Sequence, residues 1–286
     1  MTRVLSALVL LPVVIGTIWF LPPAGTLGLA VVAGVLALIE FSAIARAFGI
    51  DVPRVVAGAA MILVIVVMAW GDLVDQHRAM EGGYLLFPNY LPVVLLSALL
   101  VGGAVAVGRG KPGPGVLADV AGTLFAPLYL GLPLGALAWV RGNWWFAVGT
   151  GIDGRAAVLL LLGVIVVSDS AQYYTGRAFG RRPLAPAISP KKTVEGAIGG
   201  VVFGTAATMI GGHYIFFTTP LWIVGLLGAA LAFLGIVGDL FESLLKRSAG
   251  VKDSSNLIPG HGGVLDRIDS WLFAAPVYYM FVRFIA

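Results

Sequence analysis

Acidic residues lie on both sides of a glycine-rich stretch near the end of the chain. One face of an expected helix can carry Asp239, Ser243, Lys246 and Arg247. Asp266 and Asp269 lie three residues apart at the start of the next apolar segment. Residues 252–263, KDSSNLIPGHGG, join the two segments. Carboxylate oxygens hold Mg²⁺, cations neutralise a polyphosphate, and glycines let backbone N–H groups approach phosphates. The pattern predicts metal-dependent phosphoryl transfer. The alternative is a set of salt bridges that ties the two segments together.

Another aspartate lies within an earlier apolar segment, in SDSAQYYTGRAFGRR (168–182). Asp169, Gln172, Tyr173 and Gly176 share one helix face because they are spaced at i, i+3, i+4 and i+7. A carboxylate inside an apolar span is costly unless it is paired, so it indicates function by default. The alternative for Asp169 is a structural contact with a neighbouring Lys or Arg.

A third cluster, SPKKTVEG, covers residues 189–196. We expect a short loop in which Lys191 and Lys192 precede Thr193 at the start of a helix. A threonine N-cap with free N–H groups and positive charge nearby suits a phosphate. The alternatives are that the lysines only anchor the loop at the membrane surface and that Glu195 only completes the cap.

His261 is the most conspicuous residue of the glycine-rich stretch. Three roles are open to it: a hydrogen-bonding group of the core, a phosphate contact, or a general base. A base is not required if the nucleophile is a phosphate monoester, because that group is already ionised at neutral pH.

These polar clusters stand in a chain that is too apolar for a soluble protein. Of its 286 residues, 59% are hydrophobic and 11% are charged, with a mean hydropathy of +0.98; a soluble domain has about 25% charged residues. We therefore expect an integral membrane protein. The absence of cysteine excludes disulfides, thiolate metal sites and cysteine nucleophiles. The first apolar run lacks a clear A-x-A cleavage site and many spans follow it, so it indicates a retained helix and not a signal peptide.

The apolar segments predict an all-α, polytopic membrane protein with about nine transmembrane helices. A bilayer core about 30 Å thick needs roughly 20 apolar residues per helix. Such segments lie near 4–21, 25–45, 52–71, 88–107, 118–139, 156–176, 194–213, 220–238 and 270–285. With the N-terminus inside and the C-terminus outside, 14 of the 18 Lys and Arg residues fall on the inner side, as the positive-inside rule requires. The polar clusters of the C-terminal half then lie on that side too.

A glycine- and proline-rich connector at 109–117 suggests a division of the chain. We expect residues 1–117 to form N-terminal transmembrane helices and residues 118–286 to form a C-terminal transmembrane catalytic region. The connector matches no P-loop pattern, so we interpret it as a linker and not as a phosphate cradle. Small residues let membrane helices approach closely, so GAIGGVVFG (196–204) predicts helix packing.

The motif SLLKRSAGVKDSSNLIPGHGGVLDRID (243–269) resembles the full signature of the phosphatidate cytidylyltransferase family, also called CDP-diacylglycerol synthases. SDSAQYYTGRAFG, SPKKTVEG and GDLFES are similar to further family motifs in the same order. The resemblance covers residues 120–286 well, whereas the N-terminal half matches only as a hydrophobic, multi-span region. Gln172 stands where a small residue is expected and Arg181 where Lys is common.

The resemblance implies transfer of CMP from CTP to phosphatidic acid, which gives CDP-diacylglycerol and pyrophosphate. It implies a Mg²⁺-dependent enzyme, with or without a second cation, whose metal ligands are Asp239 and Asp266 with Asp169 and Asp269 as companions. The implied catalytic residues are Asp239, Asp266, Lys246, Arg267 and His261. The implied substrate-binding residues are Ser168, Lys191, Lys192, Thr193, Ser243, Arg247, Lys252, Gly262 and Gly263. We also expect a homodimer in the inner membrane with its site facing the cytoplasm, in contact with membrane lipids and with no nucleic-acid partner.

Three other functions fit parts of the sequence. A transporter for a phosphorylated solute predicts polar groups near mid-membrane in paired, interrupted helices, whereas here they cluster toward one face. A non-catalytic lipid-binding or assembly protein has no need of two aspartates around a glycine-rich loop. A cytidylyltransferase that acts on a different lipid phosphate is hard to distinguish by sequence from one that acts on phosphatidic acid, because the lipid tail is recognised by apolar surfaces.

Overall fold

The computed structural model describes residues 2–80, 90–110, 112–113, 115–142 and 151–286. Residues 88–89, where one predicted span begins, lie outside this part. The helices are α1 Thr2–Phe20, α2 Pro23–Ala47, α3 Arg54–Met80, α4 Tyr90–Arg109, α5 Val116–Ala126, α6 Leu132–Gly142, α7 Gly154–Phe179, α8 Val194–Ile215, α9 Leu221–Ser248 and α10 Leu265–Phe284. A π-helical turn, Pro127–Gly131, joins α5 to α6, so that the two continue as one helix.

The protein is a multi-pass membrane protein. Within the described residues, six helices are long and apolar enough to cross a bilayer, and each corresponds to one of the nine predicted spans: Pro23–Ala47, Leu91–Arg109, Val116–Gly142, Gly154–Phe179, Val194–Ile215 and Leu221–Ser248. The other three predicted spans are also helical, but Leu8–Phe20 and Arg54–Trp70 are shorter apolar stretches and α10 carries four charged residues. The count of nine and the orientation of the termini therefore stay predictions.

A β-hairpin interrupts the helices between α7 and α8, and the all-α prediction missed it. Strand β1 (Pro183–Ala185) pairs antiparallel with β2 (Ser189–Thr193), with Ala185 opposite Ser189. The turn closes where Ile188 N donates to Ala185 O at 3.1 Å. The SPKKT stretch is thus a strand and not the loop that we expected. Because successive side chains on a strand point to opposite faces, its two lysines face different surroundings.

Glycines fix the close packing of α8 against α7. Gly196, Gly200 and Gly204 recur every four residues and are buried. A Cβ atom on Gly196 would lie 2.7 Å from Gln172 O, and one on Gly200 would lie 2.4 Å from Gln172 Cγ. A side chain at either position would push the helices apart, which confirms the prediction that this motif serves helix packing.

Two buried clusters form the core. One contains Trp139, Phe216 and Tyr278 and lies among α6, α7, α9 and α10. The other contains Met61 and Leu265 and joins α2, α3 and the α5–α6 helix to α10. The second cluster crosses the predicted boundary at residue 117, so the N-terminal helices pack directly on the helix that carries Asp266. The division into two regions itself stays a prediction.

Helices α9 and α10 approach most tightly beside two of the candidate metal ligands. A Cβ atom on Gly238 would lie 2.5 Å from the carbonyl oxygen of Asp269. Only glycine permits this contact. The next residue along α9 is Asp239, so the close approach brings the carboxylate-bearing turns of the two helices side by side.

Candidate active site

A cavity of about 350 Å³ lies where α7, α9 and α10 meet. Its charged lining residues are Asp169, Asp239, Lys246, Asp253, Asp266, Arg267 and Asp269. The contributing parts are the middle of α7, the C-terminal half of α9, the loop at Asp253 and the first turns of α10. The four aspartates that were predicted as metal ligands therefore share one cavity, together with two cations.

Asp239 connects the cavity to the hairpin. The Lys192 ammonium on β2 donates to Asp239 Oδ2, and the Ser243 hydroxyl donates to Asp239 Oδ1 at 3.3 Å. Ser243 lies one turn further along α9, as the helical spacing predicts. The hairpin and α9 thus supply a cation and a carboxylate to the same place.

Lys246 lies between two carboxylates. Its ammonium pairs with Asp266 Oδ1 and with Glu242 Oε2, one turn earlier on α9. Glu242 has no exposed surface at all. A charge that is fully removed from water needs an opposite charge beside it, so Lys246 neutralises Glu242 as well as contacting Asp266.

The second oxygen of Asp266 holds the glycine-rich loop. Asp266 Oδ2 accepts from Ser254 N at 3.0 Å, from Ser254 Oγ at 2.8 Å and from Gly263 N at 2.7 Å. Gly262 has φ +78° and a Cβ atom there would lie 2.5 Å from Asp266 Oδ2. Gly262 and Gly263 therefore let the loop wrap this carboxylate, where we expected them to admit a phosphate.

Glu40 of α2 holds the same loop from the N-terminal side of the fold. Its Oε1 accepts from Ser255 Oγ at 2.6 Å and from Val264 N at 3.0 Å. Its Oε2 accepts from Ser254 Oγ at 2.9 Å and from Leu265 N at 2.7 Å. Both oxygens of a buried carboxylate are thus committed to residues 254–265.

Asp169 and Asp269 differ in their surroundings. Asp169 is exposed along the cavity, and its Oδ1 accepts from Gln172 Nε2 at 3.1 Å, one turn along α7. Asp269 is only 9% exposed, and its Oδ1 accepts from Ser270 N at 2.7 Å. The face that Asp169 and Gln172 were predicted to share is confirmed.

Thr193 caps α8 as predicted, because its hydroxyl accepts from Gly196 N at 3.1 Å. Glu195 does not only complete this cap. Its Oε2 accepts from Arg181 N at 3.0 Å and from Arg182 N at 3.2 Å, which fixes the entry to β1. Lys191 is exposed on β2, on the face opposite to that of Lys192.

The remaining predicted site residues with basic side chains differ in their positions. Arg267 lines the cavity and is exposed, and Lys252 is exposed on the loop. Arg247 donates to Ile188 O and to Val251 O, both at 3.4 Å, so it faces the hairpin turn. His261 is half-buried in a tight turn in which its N–H donates to Ile258 O at 2.9 Å.

Ser168 lies apart from the cavity lining. It is 1% exposed and faces α8, where a Cβ atom on Gly204 would lie 3.3 Å from Ser168 Cβ. Its neighbour Asp169 lines the cavity instead, because adjacent residues on a helix point in different directions. The structure therefore places Ser168 in a helix–helix contact, and its predicted role in substrate binding stays a prediction.

The comparison with known families fits this arrangement. The profile of the cytidylyltransferase family matches residues 1–285. The chain belongs to the cytidylyltransferase family. The match includes the N-terminal half, for which the sequence motifs gave no specific signal.

Several curated relatives are similar to this chain over much of its length. An uncharacterized protein, YnbB of Escherichia coli K12, is 38% identical over 205 residues, which are 71% of this chain and 66% of that protein. Phosphatidate cytidylyltransferase 4, chloroplastic, of Arabidopsis thaliana is 37% identical over 218 residues, 70% of this chain and 54% of that protein. The phosphatidate cytidylyltransferase of a Synechocystis strain is 34% identical over 258 residues, 86% and 84% of the two chains. The chain thus spans between about half and two thirds of the first two relatives.

Three acidic residues in or beside the candidate site were not predicted as site residues. The contact of Glu242 with Lys246 could have been predicted, since a Glu four residues before a Lys on a helix indicates an ion pair. Asp253 lines the cavity from the loop, and nothing in its spacing separates it from other loop residues. Glu40 lies in an apolar helix 214 residues before Ser254, and no local sequence pattern predicts which residues it contacts.

The donor atoms of the cavity suit a hard divalent cation. In the described part of the chain, no three His, Cys, Asp or Glu side chains are close enough to hold one ion by themselves. Mg²⁺ commonly binds through one or two carboxylates together with waters and substrate phosphates, and the cavity offers carboxylates of this kind. Asp239 suits this role better than Asp266. The Asp266 side chain is only 5% exposed and accepts four hydrogen bonds from the protein, whereas that of Asp239 is 29% exposed and accepts two.

Proposed function

We propose that this chain is a CTP:phosphatidate cytidylyltransferase, which makes CDP-diacylglycerol and pyrophosphate in phospholipid biosynthesis. The observation that supports this most is the cavity between apolar helices, where five aspartates and two cations meet in a member of the cytidylyltransferase family. Relatives that carry the name phosphatidate cytidylyltransferase support the choice of substrates.

The reaction requires that the charge of the triphosphate is neutralised and that the two reacting phosphates are aligned. A phosphate oxygen of phosphatidic acid attacks the α-phosphorus of CTP, the bond from that phosphorus to the β-bridging oxygen breaks, and pyrophosphate leaves with the bonding electrons. The attacking phosphate is ionised at neutral pH, so no side chain has to remove a proton. His261 is therefore not needed as a base. Positioning and electrostatic stabilisation account for most of such catalysis.

The residues of the cavity divide these tasks. Asp239, with Asp169, Asp266 and Asp269 nearby, would hold Mg²⁺, which when bound neutralises part of the triphosphate charge. Lys192 and Arg267 supply positive charge for phosphate oxygens. Lys192 contacts Asp239 with one of its three N–H donors, so the other two can reach a phosphate oxygen. Lys246 stays with its two carboxylates and keeps Asp266 in place.

The membrane setting suits one lipid substrate and one water-soluble substrate. The apolar helices keep the diacylglycerol part of phosphatidic acid in the bilayer, while CTP enters the polar end of the cavity from water. We place this end at the cytoplasmic face of the inner membrane, with the N-terminus inside and the C-terminus outside, since most Lys and Arg residues fall on that side. A homodimer is the assembly that the family resemblance implies.

The direct test is an assay of the purified protein in detergent with labelled CTP, phosphatidic acid and Mg²⁺. We expect CDP-diacylglycerol to form only when both substrates are present, and Asp239→Asn to form none. A parallel reaction replaces phosphatidic acid with a polyisoprenyl phosphate at the same concentration. Product from the polyisoprenyl phosphate alone would contradict the proposal and favour a cytidylyltransferase for another lipid.

A further inference from the structure

We propose that Glu40 is a positioning residue for cytidylyl transfer. It fixes residues 254–263 and the start of α10 in the geometry that presents Asp266 to the cavity. The catalytic part of this inference rests on the proposed function, whereas the structural part does not. Glu40 is absent from the cavity lining, so it acts through the loop and not by touching substrate.

Glu40 replaces a cap that α10 lacks. The N-cap residue Val264 makes no side-chain cap hydrogen bond, which would leave the first N–H groups of the helix without acceptors. Glu40 supplies them from α2, since it accepts from Val264 N and Leu265 N. A carboxylate at a helix N-terminus is also favoured by the helix dipole. The start of α10 is therefore fixed by a residue of the N-terminal half.

The link from Glu40 to Asp266 runs through Ser254. The Ser254 hydroxyl lies 2.9 Å from Glu40 Oε2 and 2.8 Å from Asp266 Oδ2, and it has a single proton to share between them. Gly263 completes the link, because its N–H donates to Asp266 and a Cβ atom there would lie 2.4 Å from both Glu40 oxygens. Any movement of the loop away from Glu40 would therefore change the contacts of Asp266.

A neutral isostere cannot reproduce these contacts. Each Glu40 oxygen accepts from one backbone N–H and one serine hydroxyl. In Glu40→Gln, the amide NH₂ would face either Val264 N–H or Leu265 N–H whichever way the amide is turned. One donor of the helix start then loses its acceptor. The variant changes no volume, so its effect reports on hydrogen bonding and charge alone.

The first measurement needs neither substrate nor metal. Hydrogen–deuterium exchange of the purified protein in detergent compares wild type with Glu40→Gln and with the milder Ser255→Ala, which removes one of the four hydrogen bonds. We expect faster exchange in peptides that cover 254–265 in both variants, larger in Glu40→Gln, and unchanged exchange in α7 and α8. Unchanged exchange at 254–265 in Glu40→Gln would overturn the proposal.

The second measurement separates positioning from stability. At saturating CTP and phosphatidic acid, we expect kcat per folded molecule to fall by at least about tenfold in Glu40→Gln, because small misplacements of a reacting constellation are costly. We also expect a higher Mg²⁺ concentration for half-maximal rate. A Glu40→Gln enzyme that melts earlier but keeps the wild-type kcat and Mg²⁺ dependence would overturn the positioning role.

Arg141→Met is the matched control. Arg141 is also buried, and it donates to Ile18 O and Leu21 O, both at 2.8 Å. It lies beside Gly154 at the start of α7, whereas Asp169 lies 15 residues further along that helix, a rise of about 22 Å. We expect this variant to lose stability but to keep the wild-type kcat per folded molecule, Mg²⁺ dependence and exchange at 254–265. If wild type itself makes no CDP-lipid, the proposed function is wrong. The exchange measurement would still test whether Glu40 holds residues 254–265 in place.

Discussion

Lys192 on the hairpin donates a hydrogen bond to Asp239 on α9, across 47 residues of sequence. The contact joins two of the three polar clusters that the sequence displays as separate motifs. It also puts a cation against the carboxylate that we propose as a Mg²⁺ ligand. The hairpin is therefore a part of the site and not only a connection between α7 and α8.

The two lysines of β2 should differ sharply in their importance. Lys192→Met removes the cation from Asp239, and we expect the rate of CDP-lipid formation to fall by at least about tenfold, as when one charged contact to a transferring phosphoryl group is lost. Lys191→Met is the control, because its side chain points to the other face of the strand. Equal losses in the two variants, measured at matched protein levels, would contradict the assigned geometry.

Substitutions of Asp239 and Asp266 should both abolish activity but should differ in their effect on stability. Asp239→Asn removes a half-exposed charge, so we expect turnover to disappear while the free energy of unfolding changes by less than about 1 kcal/mol. Asp266→Ala also leaves the N–H groups of Ser254 and Gly263 without their acceptor, at about 1–3 kcal/mol each. We expect it to lose turnover and also to melt at a clearly lower temperature. Thermal unfolding in detergent, followed with the activity assay, checks both statements.

Lys246 should be essential for folding as well as for turnover. Lys246→Met leaves Glu242 buried without a partner, and breaking a buried pair costs about 3–5 kcal/mol. Adding Glu242→Gln removes the unpaired charge, so we expect the double variant to recover part of the lost stability but none of the activity. A double variant that is no more stable than Lys246→Met would show that Glu242 does not depend on Lys246 for its charge balance.

Gly263 should tolerate no side chain. A Cβ atom there would lie 2.1 Å from Ser254 Oγ and 2.4 Å from the Glu40 oxygens, so Gly263→Ala must push the loop from both carboxylates. We expect loss of activity and faster proteolysis within 252–263. Gly163→Ala is the control, because nothing lies within 4 Å of a Cβ atom at that helical position, and alanine favours helix by up to about 1 kcal/mol. Its activity should match wild type.

Much of the fold was predictable because helices that span a bilayer have apolar segments of about 20 residues, which are visible in the sequence. Each of the nine predicted segments is helical where the structure describes it, and the capping role of Thr193 followed from its position before Val194. The hairpin was not predictable from periodicity, since β1 is only three residues long. Its geometry depends on Glu195, which binds backbone N–H groups that precede it by 13 and 14 residues.

The site was predictable in its residues but less so in their contacts. The spacing of Asp239, Ser243 and Lys246 correctly placed them on one face of α9. No spacing indicates that Glu40 in an apolar helix would bind a loop 214 residues away, because that contact depends on how α2 packs against α10. Ser168 was predicted to contact substrate because it is a polar residue within a motif. The structure buries it against α8, and its role in substrate binding stays a prediction.

The position of the label in the product tests the central claim most directly. Purified protein, phosphatidic acid and Mg²⁺ are incubated with CTP that carries ³²P at either the α or the γ phosphorus, with and without excess EDTA. We predict that α-label enters the lipid in equal amount to the pyrophosphate released, that γ-label appears only in pyrophosphate, and that EDTA stops both. Lipid labelled from the γ position, or no labelled lipid under any divalent cation, would contradict a cytidylyltransferase acting on phosphatidic acid.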